Sequence, residues 1–142
     1  MSTEQNKTVI RRLLEEVLNQ GNMAALDELI HPDFVEREAL PAGIPSTREG
    51  VDQFFALIRS GFPDMRVAID DVVAEGDEVV VRSTWSGTHK GEFAGVPPTG
   101  KHVSFGVIDI VRIADGKIAE HWGQIDNLGL MQQLGAIPAP PG

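Results

Sequence analysis

The amino-acid sequence predicts an α+β fold, with helices packed on one face of a curved, mostly antiparallel sheet and a pocket enclosed between the two layers. Three observations predict it. Apolar residues recur at helical spacing early in the chain. After Pro63, four runs rich in Val, Ile, Thr and aromatic residues are separated by turn residues. Helices precede strands instead of alternating with them, the pattern of segregated layers.

The first helix carries Val9, Ile10, Leu13, Leu14, Val17 and Leu18 on one face and leaves Glu4, Arg11, Arg12, Glu15 and Glu16 in water. Gly21 closes it. Asn22 is placed to cap a short second helix bearing Met23, Leu26, Leu29 and Ile30, which His31-Pro32 stops. Ser46 and Glu49 read as a capping box for a third helix that buries Val51, Phe54, Phe55 and Ile58. Strands are predicted over 65–74, 78–89, 102–113 and 117–126. Glu75-Gly76-Asp77 and Ala114-Asp115-Gly116 join them as tight hairpin turns, the second as a three-residue loop with Gly116 at positive φ. A last short helix over 128–134 precedes a proline-rich tail over 137–142. The run from Val107 to Arg112 is apolar on both faces, as expected if a second subunit covers the outer face of the sheet.

At 142 residues the chain is sized for one domain, assigned to residues 1–136. Its 12 Lys and Arg against 21 Asp and Glu give a net charge of −9, which repels phosphate backbones and anionic membrane surfaces. Neither nucleic acid nor membrane is an expected partner. The absence of cysteine excludes disulfides, thiolate nucleophiles and cysteine-ligated zinc. Polar first residues and the lack of a long apolar run point to a cytoplasmic protein.

The candidate chemistry centres on two residues. If the turn at 114–116 is a three-residue loop, Ile113 pairs with Lys117, Val111 with Ala119, and Asp109 falls opposite His121 on one sheet face. The pair is either an acid/base couple or a structural cross-strand hydrogen bond. Trp85 and His89 follow the alternation of Val79, Val81 and Ser83, so His89 either points into the pocket beside Trp85 or anchors the loop after it. Asp126 either lines the pocket or caps the last helix. His31 reads as a helix-end residue and His102 as solvent-facing. Phe34 and Phe54 are candidate pocket walls, suited to a small, flat, largely apolar ligand with a few oxygen handles.

Two tempting motifs fail on physical grounds. Residues 95–101 imitate a phosphate loop, but two prolines remove N–H donors and His102 stands where a magnesium-binding hydroxyl belongs. The segment reads instead as a hairpin loop near the pocket mouth, with the reach of a lid. Glu120 and His121, adjacent in a strand, point to opposite faces and cannot share an ion with Asp126, so no metal is expected.

Several stretches carry a family resemblance: Asn19-Gln20-Gly21-Asn22, His31-Pro32-Asp33-Phe34, Gly87-Thr88-His89, Gly95-Val96-Pro97-Pro98-Thr99-Gly100, the run from Arg112 through Gly116-Lys117-Ile118-Ala119-Glu120-His121-Trp122, and Gln133-Leu134-Gly135. Over essentially its whole length the chain resembles the SnoaL-like polyketide cyclases, a branch of the nuclear transport factor 2-like superfamily. The resemblance implies a cone-shaped fold, commonly paired into a homodimer through its sheets, and ring closure by intramolecular aldol condensation without metal or cofactor. The family also contains hydroxylase-like members, so fold does not fix the reaction. His121 matches the cyclases, whose acid/base aspartate falls at Gly123, a pocket histidine at Asp109 and a pocket asparagine at Glu36. On this basis His121 is expected to move the proton, with an ordinary pKa of about 6.5, Asp109 to fix its tautomer, and Glu36 to supply a second pocket carboxylate or to sit exposed in the run Glu36, Arg37, Glu38. Gly123 then joins the substrate-facing positions. The alternative is a non-catalytic dimeric module that binds a small hydrophobic ligand.

Overall fold

A reciprocal cap opens the chain: Ser2 Oγ accepts the Gln5 N–H at 3.1 Å while Gln5 Oε1 accepts the Ser2 N–H at 2.8 Å. This starts α1 (Thr3–Arg12) in the computed structural model, which describes residues 2–138. Of the proline-rich tail, residues 139–142 lie outside the described residues. The helix continues as a π-helical stretch over Leu13–Asn19, and all six residues of the predicted stripe are buried. Gly21, at φ 73°, ends it. Arg59 Nη2 donates to the Val17 and Leu18 carbonyls, both at 2.9 Å, tying a later helix to the end of this one.

A 3-10 turn, Met23–Ala25, leads into α2 (Leu26–Leu29), and the Asn22 side chain makes no cap. His31-Pro32 does not merely stop this helix. The chain turns extended one residue earlier, at Ile30, and β1 (Ile30–Glu36) runs through the proline. A fifth strand therefore joins the four predicted ones. Next comes α3 (Arg48–Gly61); Thr47 occupies its N-cap without a side-chain bond, so the box predicted from Ser46 and Glu49 does not form.

Then β2 (Arg66–Glu75), β3 (Glu78–Thr88), β4 (His102–Ala114) and β5 (Lys117–Ile125) form antiparallel hairpins, and α4 (Asn127–Leu134) closes the described chain. The strand order is β1-β5-β4-β3-β2, with β1 parallel to β5. An extra residue interrupts two ladders, Asp70 in β2 and Ala119 in β5. Such bulges bend a strand and sharpen its twist, which curls the sheet around the helices. Val79, Val81, Trp85, Val103, Phe105, Val107, Val111 and Ile118 face the helices from its concave side and are buried. The convex side keeps Ile108 at 47% and Trp122 at 37% exposure, so the apolar outer face anticipated from the sequence is present and uncovered in the single chain. No helix among the described residues is long and apolar enough to cross a membrane.

Candidate active site

The hairpin between β4 and β5 decides which residues meet. Its turn is the two-residue pair Asp115-Gly116, at φ 54° and 74°, so Ala114 pairs with Lys117 and Ile113 with Ile118. The bulge at Ala119 then puts Val111 opposite His121 and Asp109 opposite Gly123. The predicted register, with Asp109 directly across from His121, is thus incorrect; the two are diagonal neighbours on one face. That diagonal is still within side-chain reach, and Asp109 Oδ1 accepts from His121 Nε2 at 2.7 Å.

The other ring nitrogen is met from β1. Glu36 lies beside His121 in the parallel ladder, and its Oε1 accepts from Nδ1 at 2.6 Å. Glu38 follows two residues later, with Oε2 at 4.0 Å from Nδ1. On the outer side, Arg37 Nε and Arg112 Nε bind the two oxygens of Glu120 at 2.9 and 2.6 Å. Arg112 first, then Arg37, hold that carboxyl below its usual range. This clamp faces Arg37 outward and so turns the carboxylates on either side of it inward. It also confirms that Glu120 and His121 project to opposite faces.

One imidazole is therefore flanked at both nitrogens by carboxylates and approached by a third. Burial alone would depress the His121 pKa, but the hydrogen bonds to Asp109 and Glu36 outweigh it and push the group up to about 10. At neutral pH His121 is an imidazolium donating from both nitrogens, not the ordinary titrating base expected from the sequence. Glu36, Glu38 and His121 also present ligand atoms within 4.8 Å of one another. A cation there would need the Nδ1 lone pair, whose place the hydrogen bond to Glu36 takes.

The cluster sits in the wall of a cavity between α1, α3, the β1–α3 segment and the concave sheet face. Ile10, Leu14, Phe34, Leu40, Val51, Phe54, Phe55, Trp85 and Val107 supply apolar walls, while Glu36, Glu38, Asp109 and His121 supply the charge. The candidates Phe34, Phe54 and Trp85 are among these walls, and the Trp85 indole donates to Ser83 Oγ at 3.0 Å.

The remaining candidates lie elsewhere. His89 is fully buried outside the cavity, packed 5.4 Å from the Phe62 ring, and its Nδ1 accepts the Thr99 N–H at 3.2 Å. It is the loop anchor, not a pocket wall. Asp126 caps α4 through Gly129 N–H at 2.9 Å and does not line the cavity. His31 belongs to β1 and faces Asp115 at 3.2 Å, while His102 is exposed. None of residues 95–101 lines the cavity, so that segment is not at its mouth; the adjoining Phe93 packs on Phe62, 5.1 Å between rings. Gly123 lies beneath the cluster, not among the cavity walls. Glu38 is the site residue that the sequence did not single out. Its signal was the alternation Glu36, Glu38 from a strand that was itself missed.

Known proteins agree with this architecture. The nogalonic acid methyl ester cyclase of Streptomyces nogalater is 32% identical over 119 residues, covering 82% of this chain and 88% of the relative. The aklanonic acid methyl ester cyclase DnrD of Streptomyces peucetius is 32% identical over 140 residues, 94% of each chain. Among solved structures, TsrD from Streptomyces laurentii superposes with a TM-score of 0.87 at 33% identity, over 96% of this chain and 99% of that one. The family model of SnoaL-like polyketide cyclases matches residues 8–134, nearly the whole chain, so the chain belongs to the SnoaL-like polyketide cyclases.

Proposed function

We propose that the protein is a cofactor-independent acid/base enzyme acting on a small, largely apolar, polyketide-like carbonyl compound by proton abstraction and ring closure or isomerisation. The observation that carries this reading is the placement of a carboxylate-clamped imidazolium in an otherwise apolar cavity wall. A carboxylate takes the proton from a carbon next to a carbonyl, and the C–H electron pair becomes an enolate. The enolate carbon attacks a second carbonyl of the same molecule, forming a C–C bond. The resulting alkoxide recovers a proton, so substrate and product are isomers and no redox partner is needed. His121, fixed by Asp109 and Glu36, supplies positive charge beside the developing oxyanion, where low dielectric makes it effective. Phe34, Phe54 and Trp85 hold the flat apolar body of the ligand.

A purely binding module is not favoured, because the curated relatives quoted above are cyclases. The direct test is incubation with the methyl esters of nogalonic and aklanonic acid, with and without a chelator, followed by chromatography and mass spectrometry. A product of unchanged mass, formed equally with chelator and lost in His121→Gln, supports the reading. No product from either ester, or dependence on metal, overturns it.

The same reading treats the chain as one cytoplasmic domain that pairs through the convex sheet face, where Ile108 and Trp122 are exposed. Sedimentation at increasing concentration tests the pairing: wild type should approach twice the monomer mass and Ile108→Glu should not.

A further inference from the structure

The three carboxylates around His121 are not equivalent. Asp109 Oδ1 accepts the Nε2–H, while Glu36 Oε1 accepts both the Nδ1–H and the Glu38 backbone N–H, the latter at 3.0 Å. One oxygen of each is committed to holding the ring. The Glu38 carboxylate accepts no hydrogen bond among the described residues. Its distance of 4.0 Å from Nδ1 is too long for one, yet short enough to feel the charge. Glu38 lines the cavity beside apolar Leu40 and Phe54, with 22% of its side chain exposed, so a ligand can reach it.

The space Glu38 occupies is made by a missing side chain. A Cβ at Gly123 would stand 2.7 Å from Glu38 Oε2, 2.9 Å from His121 Cε1 and 3.2 Å from Asp109 Oδ1. Gly123 is not among the glycines with positive φ, so backbone conformation does not demand a glycine there. The requirement is room: any side chain at this position would push the Glu38 carboxylate or the imidazole aside.

We propose that Glu38, seated in the space over Gly123 and facing the fixed imidazolium of His121, is the catalytic carboxylate that takes and returns the substrate proton. This rests on the acid/base reading above and names the group it left open. Glu38 Oε forms a new O–H as the substrate C–H breaks. After the C–C bond closes, that O–H proton passes to the alkoxide and the carboxylate is regenerated. Burial raises the Glu38 pKa against the opposing pull of His121, and Glu36 and Asp109 raise it further, the direction that suits a base for a weak carbon acid.

The test combines kinetics on the two methyl esters with a measurement that needs no substrate. Glu38→Gln should lower kcat by about 100-fold or more with KM changed less than about threefold. Combining Glu38→Ala with Gly123→Asp, which returns a carboxylate to the same space, should recover at least about tenfold over Glu38→Ala alone. Glu38→Gln with kcat within about threefold of wild type overturns the proposal. If wild type transforms neither ester, the cyclase reading fails, and the carboxyl 13C titration of Glu38 decides its role. A carboxyl titrating above the other glutamates, and returning toward them in Gly123→Ala, supports the seat over Gly123. One titrating like an exposed glutamate overturns it.

Discussion

His121, in β5, and His89, just past the end of β3, are both shielded imidazoles, and their surroundings give them opposite characters. His121 has a carboxylate at each ring nitrogen, so it donates twice and is held as a cation. His89 has a backbone N–H donating to Nδ1, which makes that nitrogen an acceptor, and its buried Nε2 has no hydrogen-bond partner among the described residues. Its ring packs on Phe62, and Thr99 Oγ1 lies 3.0 Å from Nδ1. The difference teaches that burial alone does not create a functional histidine. The partners at the two nitrogens decide whether the ring carries charge into a cavity or pins a loop.

The largest break in this comparison is expected from His121→Leu. It leaves Asp109, Glu36 and Glu38 as three clustered carboxylates with no cation between them, costing about 3–5 kcal/mol at neutral pH, as for other broken buried ion pairs. Chemical denaturation should show much of that loss recovered near pH 5, because protonation relieves the repulsion. A loss that does not shrink on acidification contradicts the clamp.

A pH titration sharpens the same contrast without mutation. The folded-state pKa of His121 is raised to about 10 from its ordinary value of 6.5. Its contribution to stability is therefore fully present below about 6.5, declines as pH rises, and is gone once the pH has passed the folded value. Wild type should lose more stability than His121→Gln between pH 7 and 10.5, and ring 15N shifts should show two protonated nitrogens at pH 8. A neutral ring at pH 8 would refute the double clamp.

The smallest effect is expected at the loop anchor. His89→Leu removes the acceptor for the Thr99 N–H while keeping an apolar side chain against Phe62, so the loss should be about 1–3 kcal/mol. His121 resonances should stay where they are, since His89 is not part of the cavity. Movement of those signals would show that the two sites communicate.

Local physics made much of this molecule legible from its sequence. The Val9–Leu18 stripe has helical period, Gly21 ends the helix at positive φ, and the predicted strands after Pro63 agree with β2 to β5 within a residue or so at each end. His121, Asp109 and Glu36 were named, and all three converge. β1 was hidden because Pro32 removes a ladder donor and because its partner, β5, lies far along the chain. Only residues at its two ends pair in register, so no clean alternation marks it. The two-residue turn and the bulge at Ala119 each shifted the hairpin register by one residue, and the two shifts together kept Asp109 and His121 on one face, where they meet diagonally.

By itself, then, the sequence determined the segregation of helices from strands, the apolar stripes, the acidic charge balance, and the residues of one charged couple. These follow from periodicity, turn chemistry and composition, which act between neighbours along the chain. Only the tertiary structure decided that His121 is clamped on both sides, that Glu38 turns inward beside it, and that the absent side chain at Gly123 makes its room. Those outcomes depend on a parallel pairing across 85 residues and on close approach in three dimensions, and no local pattern encodes either.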